Sequence, residues 1–356
     1  MQYKKPIKYL LEEAFEGLTD IKIMEICGTH TMEIAEAGIK TMLPEGVTLI
    51  SGPGCPVCVT PSGMIDNVLE LSNNKDVVIA TFGDMLRVPG SVYADNLLKR
   101  RAMGANVLIC YSPMDALEYA QENPDKKVVF LGVGFETTSP MSAVMIDIAK
   151  KLHVKNLFLY CMHKQTPSAM RHLAAQKDFD VNALICPGHV ATITGADAFE
   201  FAVNELKLPS VVTGFEPEDI IASLIKIAEM KKENKPKLIN QYTRAVTDKG
   251  NIAALEATDK VFETVDSIWR GLSVIKKSGL KIRDEYSEFD AHIHFDLPEP
   301  IDIEVPGCKC ANVISGQMRS TDCPLFNKMC TPENPVGPCM VSSEGACAAA
   351  YKYGGL

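Results

Sequence analysis

The stretch KVVFLGVGFETTSPMSAVMIDIAKKL, residues 127 to 152, decides the fold. Its first seven residues form a valine-rich, nearly continuous apolar run, the pattern of a strand buried on both faces of a parallel sheet. GFETT at 134 to 138 interrupts the run with a glycine and polar residues, and MSAVMIDIAKKL then reads as a helix. The same pattern recurs along the chain. Short apolar runs appear at 21–26, 47–51, 76–82, 106–111, 127–133, 156–161, 182–186 and 210–215, and most lead through a Gly, Pro or polar loop into a helix-like stretch. The expected fold class is therefore α/β, with parallel strands and helices on both faces.

The unusual residues fall in the loops after these strands: CGTH (27–30), GPGCPVC (52–58), FGDMLRVPG (82–90), GFETT (134–138), MHKQTP (162–167), PGHV (187–190) and GFEPED (214–219). Ligands of open parallel sheets bind outside the carboxyl ends of the strands, so the function is expected there. A single closed barrel would put its site at the same ends. Two four-stranded open sheets are preferred, because NPDKK at 123–127 offers a divide and GFE recurs in the second half. This predicts a first α/β domain at 21–125 and a second at 126–235. A third domain, at 236–356 with 1–20, follows a change of pattern: a helical stretch through ALEATDKVFETVDSIWRGLSVIKKSGL, an acidic Pro-rich passage and a cysteine-dense tail. His292 and His294 in AHIHF alternate as on one strand face and read as structural.

A chain of 356 residues with a formal net charge of -9 lacks the basic surface that nucleic acid or an anionic membrane requires of a main partner. The N-terminus carries no apolar run of signal length, and nothing approaches the ~20 apolar residues of a spanning helix. The expected location is the cytoplasm, where ordinary thiols stay reduced. Twelve cysteines in that compartment point to metal, cluster or redox chemistry rather than a disulfide scaffold.

Six of them lie between 308 and 347, spaced C-x-C-x12-C-x6-C-x8-C-x7-C without histidine. Structural zinc usually takes tight C-x2-4-C knuckles, which this tail lacks. An iron-sulfur cluster takes four thiolates from irregular loops, and it is the preferred reading over zinc or unliganded thiols. Cys323, Cys330 and Cys347 are the expected ligands with Cys308 as fourth, and Cys310 or Cys339 as substitutes. Cys55 and Cys58 form a C-x-x-C pair just before a helix start, either a dithiol-disulfide couple or half of a metal site. Cys27 ends the first strand, a position for a nucleophile or a ligand of a soft metal, with His30 as proton acceptor or orienting donor. Glu136, His163, Lys164, His189 and Glu216 follow later strands and could donate or accept protons in a cleft. Cys110, Cys161 and Cys186 sit in apolar runs and read as core.

Together CGTH, GPGCPVCVTP, FGDMLRVPG, GFETT, PGHV and TDCPLFNKMCTPENPVGPCMVSSEGAC resemble the HypD family of NiFe-hydrogenase maturation factors, over essentially the whole chain. The resemblance implies a scaffold for an iron centre carrying two cyanides and one carbon monoxide. Cys27 would be the iron ligand, Cys55 and Cys58 the redox-active dithiol, and the tail the seat of a 4Fe-4S cluster. It also implies a complex with a HypC-like chaperone whose terminal cysteine shares the iron, cyanide from a HypE-like partner, and a monomer that forms a heterodimer. Without the resemblance, a free-standing iron-sulfur thiol-disulfide oxidoreductase would fit the C-x-x-C and cluster pattern.

Overall fold

The computed structural model describes residues 6–354, so residues 1–5 and 355–356, at the ends of the expected third domain, lie outside it. All eight predicted runs are strands. They are β1 (Ile21–Glu25), β2 (Val47–Ser51), β3 (Val77–Thr81), β4 (Val107–Ile109), β5 (Lys127–Gly132), β6 (Leu157–Cys161), β7 (Ala183–Pro187) and β8 (Ser210–Thr213), joined by a short β9 (Leu238–Asn240).

They form two open parallel sheets rather than a barrel. The first has the order β2-β1-β7-β8-β9 and the second β4-β3-β5-β6. The second sheet is thus inserted between the two halves of the first. The divide expected at 123–127 lies inside the second sheet, since Val77 to Ala80 of β3 pair with Lys127 to Phe130 of β5. NPDKK is a tight turn there, closed by Lys126 N–H donating to Asn123 O at 3.0 Å, between the helix Pro113–Glu122 and β5. A turn signal marks where a chain reverses and does not say which strands then pair.

Each sheet is covered on both faces. Leu11 and Phe15 of the helix Ile7–Phe15 pack with Ile220, Leu224 and Ile227 of the helix Pro217–Glu233 over Ile23, Ile185 and Val211 of the first sheet. Leu117, Ala143 and Ile146 cover Phe130 of the second. Burying a side chain of this size stabilises by about 1.5–3 kcal/mol, which is why the inner strands are made mostly of apolar residues.

The third region departs from expectation. The helical stretch is a helix only over Ile252–Val261, and the chain then forms an antiparallel hairpin, β10 (Phe262–Trp269) and β11 (Ser273–Ile282). Gly271 turns it at φ +71, a conformation no helix interior adopts. Trp269 anchors it, fully buried, stacked on Phe135 and donating from Nε1 to Ser278 Oγ at 2.8 Å. AHIHF is one helical turn, Ala291–His294, capped by Asp290, whose Oδ1 accepts from His292 N–H at 2.8 Å. The His294 ring stacks on Phe158 at 3.9 Å between centroids, so its role is packing. Among the described residues no helix is long and apolar enough to cross a membrane.

Candidate functional site

Strand order locates the site. In the first sheet the chain leaves β1 to one side for β2 and returns on the other side at β7, so the switch point lies between β1 and β7. Crevices at such points, beyond the carboxyl ends of the strands, are the usual ligand sites. The loops that meet there are CGTH and PGHV.

Cys27 is buried at the N-cap of the helix Gly28–Glu36. Its thiol is pushed up to about 12 by burial, with Glu344 and Glu25 adding to the rise, while the backbone N–H groups of His30 and Thr29 favour the thiolate. A thiol held this way stays protonated until a cation displaces its proton. Glu25, at the end of β1 and buried, accepts from Cys27 N–H at 2.9 Å and from the Thr31 hydroxyl, which fixes the loop from below. Above it, Thr29 Oγ1 donates to Glu344 Oε1 at 2.7 Å and lies 3.5 Å from His189 Nδ1.

His30 does not face the thiol as a base. Its Nε2 is 2.9 Å from Gly214 O, its ring stacks on Phe215 at 4.6 Å, and burial lowers its pKa to about 4. It is a neutral tie between CGTH and the loop after β8. His189 stacks on the other flank of the cluster, 3.8 Å from Phe215, and is exposed to solvent.

The C-x-x-C turn lies against Cys27. Gly28 N–H donates to Gly54 O at 2.9 Å, and a Cβ on Gly54 would fall 2.3 Å from Cys27 N, so only glycine lets the loop approach. Cys55 and Cys58, both buried, are joined as a disulfide, and Cys58 N–H also points at Cys55 Sγ at 3.2 Å. The turn Pro56–Val59 packs on the tail turn Pro338–Met340, and Val59 O accepts from Arg270 N–H at 2.8 Å.

All six tail cysteines line one small cavity. Cys310 and Cys339 are joined as a disulfide, which leaves Cys308, Cys323, Cys330 and Cys347 as the free thiols. Among the described residues no three His, Cys, Asp or Glu side chains converge on a point that would hold a single metal ion. Four free thiols around a cavity are instead the donor set that a cluster takes; burial pushes the Cys308 and Cys347 thiols up, Cys347 to about 12, and the nearby donors and charge work the other way. Val336 N–H points at Cys330 Sγ at 3.4 Å, the Ser320 hydroxyl at Cys347 and the Cys310 N–H at Cys308, with the Arg270 charge nearby. The residues present therefore fit a 4Fe-4S cluster. Cys347 follows Glu344 by three residues, so one segment touches this cavity, the C-x-x-C turn and Cys27.

Glu136 lies in the second sheet's loops, where its carboxylate accepts from Thr166 N–H at 2.7 Å and from the Thr166 hydroxyl at 2.9 Å, capping the helix Thr166–Ala174. Burial pushes it up to about 7. His163 meets Ser142 Oγ at 2.9 Å, and the buried Lys164 donates to Ser267 Oγ at 2.6 Å. Neither contacts the Cys27 loop. Glu216 occupies the N-cap position of the helix Pro217–Glu233 without a side-chain capping bond. Sequence reasoning missed Glu25, Thr29, Phe215 and Glu344. Glu344 follows two serines in a tail read for its cysteines, and Glu25 reads as the polar end of a strand.

The family model described as "HypD: Hydrogenase formation hypA family" matches residues 2–354. The chain is 43% identical to the hydrogenase maturation factor HypD of Escherichia coli (strain K12), over 99% of this chain and 95% of that one. It is 44% identical to the HypD of Azotobacter vinelandii, over 94% of this chain and 89% of the relative. A putative hydrogenase expression/formation protein of Methanocaldococcus jannaschii is 43% identical over 95% of this chain and 93% of its own.

Proposed function

Since this chain belongs to the HypD family of hydrogenase maturation factors, we propose that it is the scaffold on which the iron centre of NiFe hydrogenases acquires two cyanides and one carbon monoxide. Iron is the cargo, held by Cys27. A soft thiolate suits iron carrying strong-field ligands, and a HypC-like chaperone would supply a second from its terminal cysteine. A HypE-like protein would deliver the cyanide.

The observation that carries this reading is the packing of Gly54 on Cys27, which seats a disulfide-forming pair beside the proposed ligand. Opening the Cys55–Cys58 bond to two thiols takes two electrons and two protons. A 4Fe-4S cluster held by Cys308, Cys323, Cys330 and Cys347 would supply single electrons. Cys310–Cys339 lines that cavity, and Cys339 belongs to the tail turn that packs on the C-x-x-C turn. Glu25 orients the Cys27 loop through its N–H, and Glu344 and Thr29 close it. His189, exposed beside Thr29, is the group placed to meet an incoming ligand. His30 and Glu136 act by holding loops in place.

The test is an anaerobic infrared spectrum of the protein co-purified with its HypC-like partner, native against Cys27→Ser. Bands of iron-bound cyanide and carbon monoxide are expected in the native complex and absent from the variant. A native complex without bands, with partner bound and cluster intact, would overturn the scaffold and favour a free-standing thiol-disulfide oxidoreductase.

A further inference from the structure

Arg270, at the tip of the β10–β11 hairpin, is 6% exposed. Arginine is almost never buried this far without a carboxylate partner, because a charge taken out of water is costly unless paired. Among the described residues Arg270 makes no ion pair. Its side chain makes one hydrogen bond, from Nη1 to Pro89 O at 3.4 Å, while its backbone N–H donates to Val59 O of the C-x-x-C turn.

The groups whose charge it feels are Asp302, Cys308 and Asp66, in that order. The two carboxylates are spent elsewhere. Asp302 accepts from Ser62 N–H at 3.1 Å and from Gly271 N–H at 2.8 Å, and Asp66 accepts from Ser91 N–H at 2.9 Å. Cys308 is one of the four free thiols around the tail cavity. The hairpin tip sits on the segment that carries it: a Cβ on Gly271, the residue after Arg270, would lie 2.5 Å from the Ala311 side chain and 2.9 Å from its Cα. One residue thus touches the C-x-x-C turn with its backbone and brings a buried cation to the cluster cavity with its side chain.

We propose that Arg270 is a positioning residue for the redox step, whose buried charge raises the reduction potential of a cluster held by Cys308, Cys323, Cys330 and Cys347. This rests on the cluster reading given above. Four thiolates make the site negative, and each electron that arrives adds one more negative charge. A fixed cation in a site poor in water therefore favours the reduced state over the oxidised one. Asp302 and Asp66 stay in place when Arg270 is replaced, so a difference between variants reads the Arg270 charge alone. The bond to Val59 O comes from the backbone and survives every substitution, so a merely structural role predicts no change of potential.

The experiment is a redox titration of the anaerobically reconstituted full chain, followed by electron paramagnetic resonance, with the iron content of each variant measured first. At the native midpoint the ratio of reduced to oxidised cluster should fall about tenfold in both Arg270→Gln and Arg270→Met, a shift of about 59 mV for one electron. Arg270→Lys keeps a cation at the position and should hold the ratio within about threefold of native. Lys309→Gln removes an exposed cation from the lining of the same cavity and should change the ratio less than about twofold, since water and salt screen it. A native ratio in the two neutral variants would overturn the proposal and leave the cluster standing. Loss in Arg270→Lys equal to that in Arg270→Gln would assign the effect to the shape of the guanidinium, and an equal loss in Lys309→Gln would assign it to any nearby cation; either overturns the proposal. A native chain that loads no iron would overturn the cluster reading itself, and this inference with it.

Discussion

Gly54 touches Cys27 so closely that one added methyl group would lie 2.3 Å from the Cys27 nitrogen and 2.5 Å from its Cα. The neighbouring atoms are backbone and cannot swing aside. Gly54→Ala is expected to destabilise the protein by about 2–3 kcal/mol, the upper range for overpacking a tight site, measured by urea unfolding. It should also part the disulfide from Cys27, so iron retained with the chaperone falls in step. A variant with wild-type stability would show that the contact is not tight.

Burial holds the Cys27 thiol up at about 12, and Glu344 is one of two carboxylates that add to the rise. Removing its charge lowers that value and raises the thiolate fraction at any pH below it. Alkylation of Cys27 by a small reagent at pH 8 should therefore be several-fold faster in Glu344→Gln than in the native protein. An unchanged rate would mean that the thiol does not sense the carboxylate.

Burial holds His30 and His163 at about 4, below their ordinary 6.5. The folded state then binds fewer protons than the unfolded chain, so this stability is complete above pH 6.5 and is lost as the pH falls through 4. The shifts correspond to about 3 kcal/mol each. Glu136, raised to about 7 from 4.5, has the opposite sign and loses its contribution as the pH rises through 7. Melting temperature should fall steeply from pH 6.5 to 4, and His163→Gln should flatten that fall. Glu136→Gln should instead raise stability at pH 8 relative to pH 5.

The tail cysteines divide into two classes. Anaerobic reconstitution should load about four irons per native chain. Cys330→Ser, which removes a free thiol at the cavity, should lose most of that iron. Cys310→Ser and Cys339→Ser, from the disulfide pair, should keep it. Iron analysis and visible absorbance distinguish the two groups, and equal loss in all three variants would break the division.

The strands were legible because the inner ones bury both faces, which writes runs of apolar residues into the chain locally. Their pairing was not legible. That β7 joins β1 across some 160 residues follows from crossovers and packing that leave no mark in a short window. The hairpin after Val261 was hidden because FETVDSIW follows a genuine helix without a Gly or Pro between them. At the site, Cys27, Cys55, Cys58 and the four free tail thiols stand out by residue type. Glu25 and Glu344 do not, since a surface glutamate looks the same until burial and a neighbouring thiol give it work. His30 was read as a proton acceptor or orienting donor for Cys27 because it is three residues away, but the first helical turn carries its ring to Gly214.

The inserted sheet sets an order on biosynthesis. Cys27 leaves the ribosome before β7, the neighbour of its strand, which follows only after the whole second sheet, and Glu344 comes later still. Domains fold as their residues emerge, and long-range parallel pairing is slow. The nascent chain can therefore complete β3 to β6 while its first cysteine still lacks a pocket. The thiol proposed to receive iron is enclosed only once β7 and then Glu344 have followed the second sheet, so stray metal meets no finished site on a half-made chain.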